Sequence, residues 1–143
     1  MTDNIFPDAT CFIFLLAKAY QRGNNLVQKR LLPYGVTNNQ YVILETLWKD
    51  EGLTAHELEK RLAIDKATLS GILDRMVESK LLIKRMDLQD RRMLRLFPTG
   101  KALSLKKRLV EERQKANEEL LSGFTREERI LLKRLLMNMA QVS

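Results

Sequence analysis

One cysteine, one histidine and one tryptophan are all that 143 residues contain of those three types. The lone cysteine, Cys11, excludes an intrachain disulfide and gives no argument for export. The lone histidine, His56, has no cysteine or carboxylate at ligand spacing, so no metal site is expected and His56 reads as a solvent-exposed residue. Glycines number six and are scattered, without a phosphate-cradling loop. No Ser/His/Asp set and no paired-carboxylate motif appears, which leaves an enzyme reading without residues to carry it and no cofactor to expect. No apolar run approaches the roughly 18 residues needed to span a bilayer. The start, Met1-Thr2-Asp3-Asn4, lacks the basic region and small-residue cleavage site of a secretory signal. A cytoplasmic protein with no membrane segment is the expectation.

What is present begins with charge. Lysine and arginine total 25 against 18 acidic residues, a net charge of +7 with a pI near 9.7. Residues 54–101 hold 11 basic and 7 acidic side chains, so they supply +4 of that excess. Such a balance suits a polyanionic partner, but alone it leaves nucleic acid, ribosome and membrane surface open. The length fits one domain with a buried core, and no repeat, low-complexity tract or linker divides it.

Most of the chain has helical periodicity. Residues 12–32 place Phe12, Leu15, Leu16, Ala19, Leu26, Val27 and Leu31 on a broad apolar face stopped by Pro33 and Gly35. Thr37 caps a second helix, with Tyr41, Leu44, Leu47 and Trp48 inward and Gly52 at its end. A long helix runs from Gly100 to about Leu121, and Gly123 breaks it. Thr125-Arg126-Glu127-Glu128 then forms a capping box for a last helix carrying Ile130, Leu131, Leu132, Leu135, Leu136 and Met139.

Residues 54–97 are the informative stretch. Thr54-Ala55-His56-Glu57 is another capping box, opening a helix with Leu58 and Leu62 on one side. Asp65 is the next N-cap, and Leu69, Ile72, Leu73 and Met76 follow at i, i+3, i+4, i+7. The opposite face shows Lys66, Thr68, Ser70, Gly71 and Arg75. Two helices joined by so short a turn form a helix-turn-helix, whose second helix enters the DNA major groove. Leu81-Leu82-Ile83 then leads into Lys84-Arg85-Met86-Asp87-Leu88-Gln89-Asp90-Arg91-Arg92, which reads as strand, polar turn and returning strand.

At these residues the chain resembles the MarR family of bacterial winged-helix transcription regulators. The resemblance rests on Val36-Thr37-Asn38-Asn39-Gln40-Tyr41, the helix-turn-helix, and the wing Asp87-Leu88-Gln89-Asp90-Arg91-Arg92. The wing departs from the family pattern at Gln89, where arginine is usual, and at Leu96-Phe97-Pro98-Thr99-Gly100. Matching Gly100 to the family glycine makes the returning strand about two residues short. The expected fold is mainly α with a small β-hairpin. A winged helix-turn-helix at residues 36–99 is flanked by dimerisation helices at 1–35 and 100–143, in one unit spanning 1–143. Residues 12–16 and much of 130–139 are apolar around the whole helix and need cover on all sides. A second copy is the expected cover, as the resemblance also implies, the alternative being that these helices complete the monomer core; a two-fold homodimer would imply a pseudo-palindromic site in double-stranded DNA.

Lys66, Thr68 and Ser70, near the amino end of the recognition helix, are candidates for base and phosphate contact. Arg75, further along, fits phosphate. Arg91 at the hairpin tip is the candidate for the minor groove. Asp90 and Arg92 resemble the wing's internal support, and Arg85 and Arg95 flank the hairpin as phosphate neutralisers. The resemblance further implies repression relieved by a small aromatic or phenolic acid held between dimer helices and winged domain. Phe12, Arg22, Tyr41 and Trp48 are candidate lining residues, although a core role explains the aromatics equally well. The pair Cys11-Phe12 is similar to the peroxide-sensing branch of the family. That branch holds its cysteine with tyrosines, and the corresponding positions here are Leu15 and Asn25. Neither can do what a tyrosine hydroxyl does, so redox release through Cys11 stands as the alternative to ligand release. The rival from another class is a winged-helix module for RNA or a protein partner.

Overall fold

The computed structural model describes residues 11–142. The Met1-Thr2-Asp3-Asn4 start, read above for a secretory signal, lies outside them. The chain divides into two compact units, Leu31–Glu112 and a second made from residues 11–30 with residues 113–142. The helix-turn-helix expected at 36–99 falls inside the first.

In that unit α2 spans Asn38–Lys49 and opens on a complete capping box. The Gln40 amide donates to Thr37 Oγ1 at 3.2 Å, and the Thr37 amide donates to Gln40 Oε1 at 3.1 Å. Two of the four orphan amides at a helix start are thereby satisfied. The helix ends at Lys49 with Asp50 as its cap, earlier than the expected stop at Gly52. Gly52 instead turns the chain at φ +87°, where its amide donates to Leu96 O at 2.9 Å. That bond starts β1 (Leu53–Thr54), a strand too short to show any period in the sequence. The expected hairpin is therefore a three-stranded antiparallel sheet, ordered β1-β3-β2.

Thr54, at the end of β1, also caps α3 (Ala55–Arg61), accepting from the Glu57 amide at 3.2 Å. The Glu57 carboxylate returns to the threonine hydroxyl at 3.2 Å, so the box closes side chain to side chain. α4 (Lys66–Glu78) follows, and its Leu69, Ile72, Leu73 and Met76 are all buried. β2 (Leu82–Met86) and β3 (Leu94–Pro98) pair along their whole length, from Leu82↔Pro98 to Met86↔Leu94. The shortening expected of the returning strand costs no pairing. Leu44, Leu47, Leu58, Leu81, Leu82 and Leu96 form the centre of this core, all nearly inaccessible. Burying a leucine contributes about 1.5–3 kcal/mol, so the core holds the reading elements without a cross-link.

The second unit contains α1 (Phe12–Leu31), the end of α5 (Gly100–Leu120) and α6 (Arg126–Ala140). Gly23 lets α1 approach α5 closely, because a Cβ there would lie 3.3 Å from Leu120 Cδ2. Arg30 pairs with Glu119 at 3.2 Å. Thr125 and Glu128 complete the capping box of α6. Arg129 ties the preceding turn, donating to Leu121 O at 2.9 Å and Glu118 Oε2 at 2.8 Å. No α6 residue is buried, although Ile130, Leu131, Leu135, Leu136 and Met139 lie along it. No described helix is long and apolar enough to cross a membrane.

Candidate nucleic-acid interface

α4 is fixed at its amino end by Asp65, which accepts from the Thr68 amide at 2.9 Å and the Thr68 hydroxyl at 2.7 Å. These two bonds hold the Asp65 carboxyl below the usual carboxylate range, the amide contributing more. Thr68 therefore has its hydroxyl proton committed and presents only lone pairs outward. Lys66, Ser70 and Arg75 are exposed on the same helix. Gly71 lies among them, with only the flexible end of Arg75 over its backbone. A Cβ there would meet only Arg75 Nη1 at 3.5 Å and Nη2 at 3.9 Å. The face opposite the core is thus low near Gly71 and rimmed by donors.

The root of the loop of residues 87–93 is held by the Asp87 carboxylate. Asp87 Oδ1 accepts from Arg95 Nε at 2.7 Å, while its Oδ2 accepts from the amides of Gln89 at 3.1 Å and Asp90 at 2.9 Å. The Arg95 guanidinium, followed by the Asp90 amide, lowers the Asp87 pKa, and Asp87 raises that of Arg95 in return. Arg95 also donates to Gly52 O at 2.8 Å and lies 3.9 Å from Glu57. Expected at a phosphate, its guanidinium is instead committed inward, bracing the wing root against the α2–β1 turn. Asp90 and Arg92 form an ion pair at 3.2 Å, with the Arg92 side chain 91% exposed. That pair closes the tip locally, whereas Asp87 and Arg95 anchor it. Asp87 was not singled out in the sequence, because its partner lies eight positions away and is brought near only by strand register.

Arg91 projects from the tip and is exposed, with no ion-pair partner among the described residues. Arg85 stands 5.0 Å from the Phe97 ring centroid, a cation–π contact that leaves it on the surface. Lys84 pairs with Asp74 of α4 at 3.3 Å. A cleft of about 330 Å³ lies within this unit between α3, α4 and the strands, lined by His56, Lys66, Ser70, Lys84 and Leu94 among others. The unit thus sets donors of the recognition helix and cations of the wing on one body.

Residues 36–94 match the MarR family. The HTH-type transcriptional repressor NicR of Pseudomonas putida is 30% identical over 126 residues, 87% of this chain and 79% of NicR. The chain belongs to the MarR family. An uncharacterized HTH-type transcriptional regulator of Bacillus subtilis, YybA, is 27% identical over 87% of this chain and 81% of its own length. Among solved structures, Bordetella bronchiseptica BpsR is 26% identical with a TM-score of 0.88, over 96% of this chain and 99% of BpsR. The DNA binding of BpsR is regulated by 6-hydroxynicotinic acid. This protein is a MarR-family transcription regulator with a winged-helix DNA-binding fold.

The MarR-family match runs from Val36, just before the Thr37 capping box, to the first residue of β3, so it contains every candidate DNA contact except Arg95. The four candidate lining residues divide between the units. Tyr41 and Trp48 meet edge to face at 6.0 Å, with Tyr41 buried and its hydroxyl donating to Glu45 at 2.8 Å. Trp48 Nε1 is buried and has no hydrogen-bond partner among the described residues. Phe12 and Arg22 belong to the other unit. Phe12 is 77% exposed, and Arg22 donates to Leu120 O at 3.4 Å. Cys11 is a half-buried free thiol. His56 is exposed, and no group of three potential metal ligands occurs among the described residues.

Proposed function

We propose that this MarR-family regulator is a cytoplasmic homodimeric repressor. It reads a pseudo-palindromic operator in double-stranded DNA and is released by a small aromatic acid. The observation that carries the DNA-reading half is the exposed donor set of α4 beside a hairpin tip with an uncommitted Arg91. Lys66 and Ser70 reach base edges in the major groove, Arg75 and Arg85 meet phosphate, and Arg91 enters the minor groove. Thr68 contributes an acceptor only, and Arg95 keeps Asp87 in place rather than touching DNA.

The terminal unit supports the dimer. Ile13, Tyr20, Ile130 and Met139 are each more than half exposed there, on helices that bury little within one copy. A two-fold partner would cover such a surface and set the two recognition helices about one DNA turn apart. NicR is named a repressor, which supports the sign of regulation. BpsR responds to a hydroxylated pyridine carboxylic acid, which supports an aromatic acid as effector. The ligand acts only through a difference in affinity between DNA-competent and incompetent states.

Selection of bound sites from random duplex DNA tests the reading. Two inverted half-sites about 10–10.5 base pairs apart are expected. Sedimentation at micromolar protein should give a dimer mass, and an aromatic acid should displace the selected duplex. Enrichment of no sequence at all would refute the regulator.

A further inference from the structure

We propose that the wing tip carries an apolar wedge, Leu88, which seats against the deoxyribose walls of the minor groove beside the cation supplied by Arg91. The inference rests on the DNA-reading function above and extends it to a residue that the charge argument passes over. Leu88 is wholly exposed, at 101%. It is also held out there. Asp87 Oδ2 accepts from the amides of Gln89 and Asp90, enclosing Leu88 in a tight turn whose anchor is bonded to Arg95. These bonds fix the backbone on either side of the leucine. Behind it on the hairpin, Met86 and Leu94 face each other in register and are 61% and 46% exposed.

Charge decides the occupant. Both acids of the loop are countered by arginines, Asp87 by Arg95 at the wing root and Asp90 by Arg92 at the surface. Arg91 is exposed in the same loop and carries the remaining charge. An apolar projection accompanied by a cation matches the minor groove, where sugar surfaces lie between two rows of phosphates and apolar side chains wedge into base steps. A purely apolar protein groove would gain nothing from the arginine.

The test uses the full chain and a duplex selected by it, followed by fluorescence anisotropy over a salt series. Leu88→Ser should lose about tenfold in affinity at every salt concentration, since apolar burial releases no counterions. Leu88→Met should recover most of that loss. Arg91→Ala should instead flatten the salt dependence. Replacing the flanking pairs beneath the wing by inosine·cytosine or guanine·cytosine changes the minor groove by one amino group. Wild type should prefer inosine, and Leu88→Ser should lose the preference. Thermal unfolding should not change, because Leu88 packs against nothing. Unchanged affinity of Leu88→Ser beside normal wild-type binding overturns the wedge alone. So does a loss of affinity that tracks a change in sedimentation, which would make Leu88 a protein contact. Absence of wild-type binding would refute the regulator reading itself.

Discussion

Gly71→Ala should make the protein more stable and its DNA binding weaker. The residue lies inside α4 with ordinary helical backbone, so glycine is not needed there for conformation. Replacing a helical glycine with alanine gains about 1 kcal/mol, through helix propensity and a less disordered unfolded chain. The added methyl finds Arg75 Nη1 at 3.5 Å and Nη2 at 3.9 Å, both ordinary contact distances to the end of a flexible side chain. Nothing in the protein opposes the gain, so unfolding should shift up by roughly 2–4 °C for a chain of this size. The same methyl occupies the lowest point of the exposed α4 face, between Ser70 and Arg75. If the helix backbone lies against base edges there, the helix must lift. The loss should then be about 1–3 kcal/mol, the scale of one base contact. Melting curves and anisotropy on a single preparation give both signs. A rise in stability with unchanged DNA affinity would show that α4 does not approach DNA at Gly71. A fall in stability would refute the account of the local packing.

Three further outcomes follow from the same geometry. Arg91→Ala should reduce the slope of log K against log salt by about one unit per dimer half, and an unchanged slope would place Arg91 away from DNA. The Asp87 carboxyl has a lowered pKa in the folded state, so its contribution to stability is complete above the usual carboxylate range and disappears as pH falls through that lowered value. Asp87→Asn should therefore lower stability at neutral pH and weaken the acid dependence of unfolding. An acid limb identical to wild type would mean that the pair with Arg95 contributes nothing. Cys11→Ser should bind DNA and respond to an aromatic acid as wild type does, whereas peroxide that releases only the wild type from DNA would establish the thiol as the switch.

The sequence made the local features readable and hid those that depend on register. Caps were legible because they are short-range: Thr37 and Gln40, Asp65 and Thr68, and Thr125 and Glu128 are each three positions apart. The buried stripe of α4 was legible for the same reason, since Leu69, Ile72, Leu73 and Met76 follow helical spacing. β1 was not, because two residues carry no alternation and become a strand only through Leu96 and Arg95 across the sheet. The wing shows both cases at once. Asp90 and Arg92, two apart, are legible as a pair, while Asp87 and Arg95 meet only after β2 and β3 align. Assigning Arg95 to phosphate followed from its charge, and the carbonyl of Gly52, 43 positions earlier, could not be foreseen.

The Arg95 brace also bears on when the wing becomes ordered. One guanidinium joins the wing root to the carbonyl of Gly52 and lies near Glu57 at the start of α3. Thr54 is opposite Arg95 in the sheet and caps the same helix. Hairpin and reading helices are therefore geared together, and the ordering cost of the hairpin is met during folding rather than on encounter with DNA. Binding of DNA therefore meets a wing already braced on its reading helices, and exchange of the Gln89 and Asp90 amides should slow little when DNA binds.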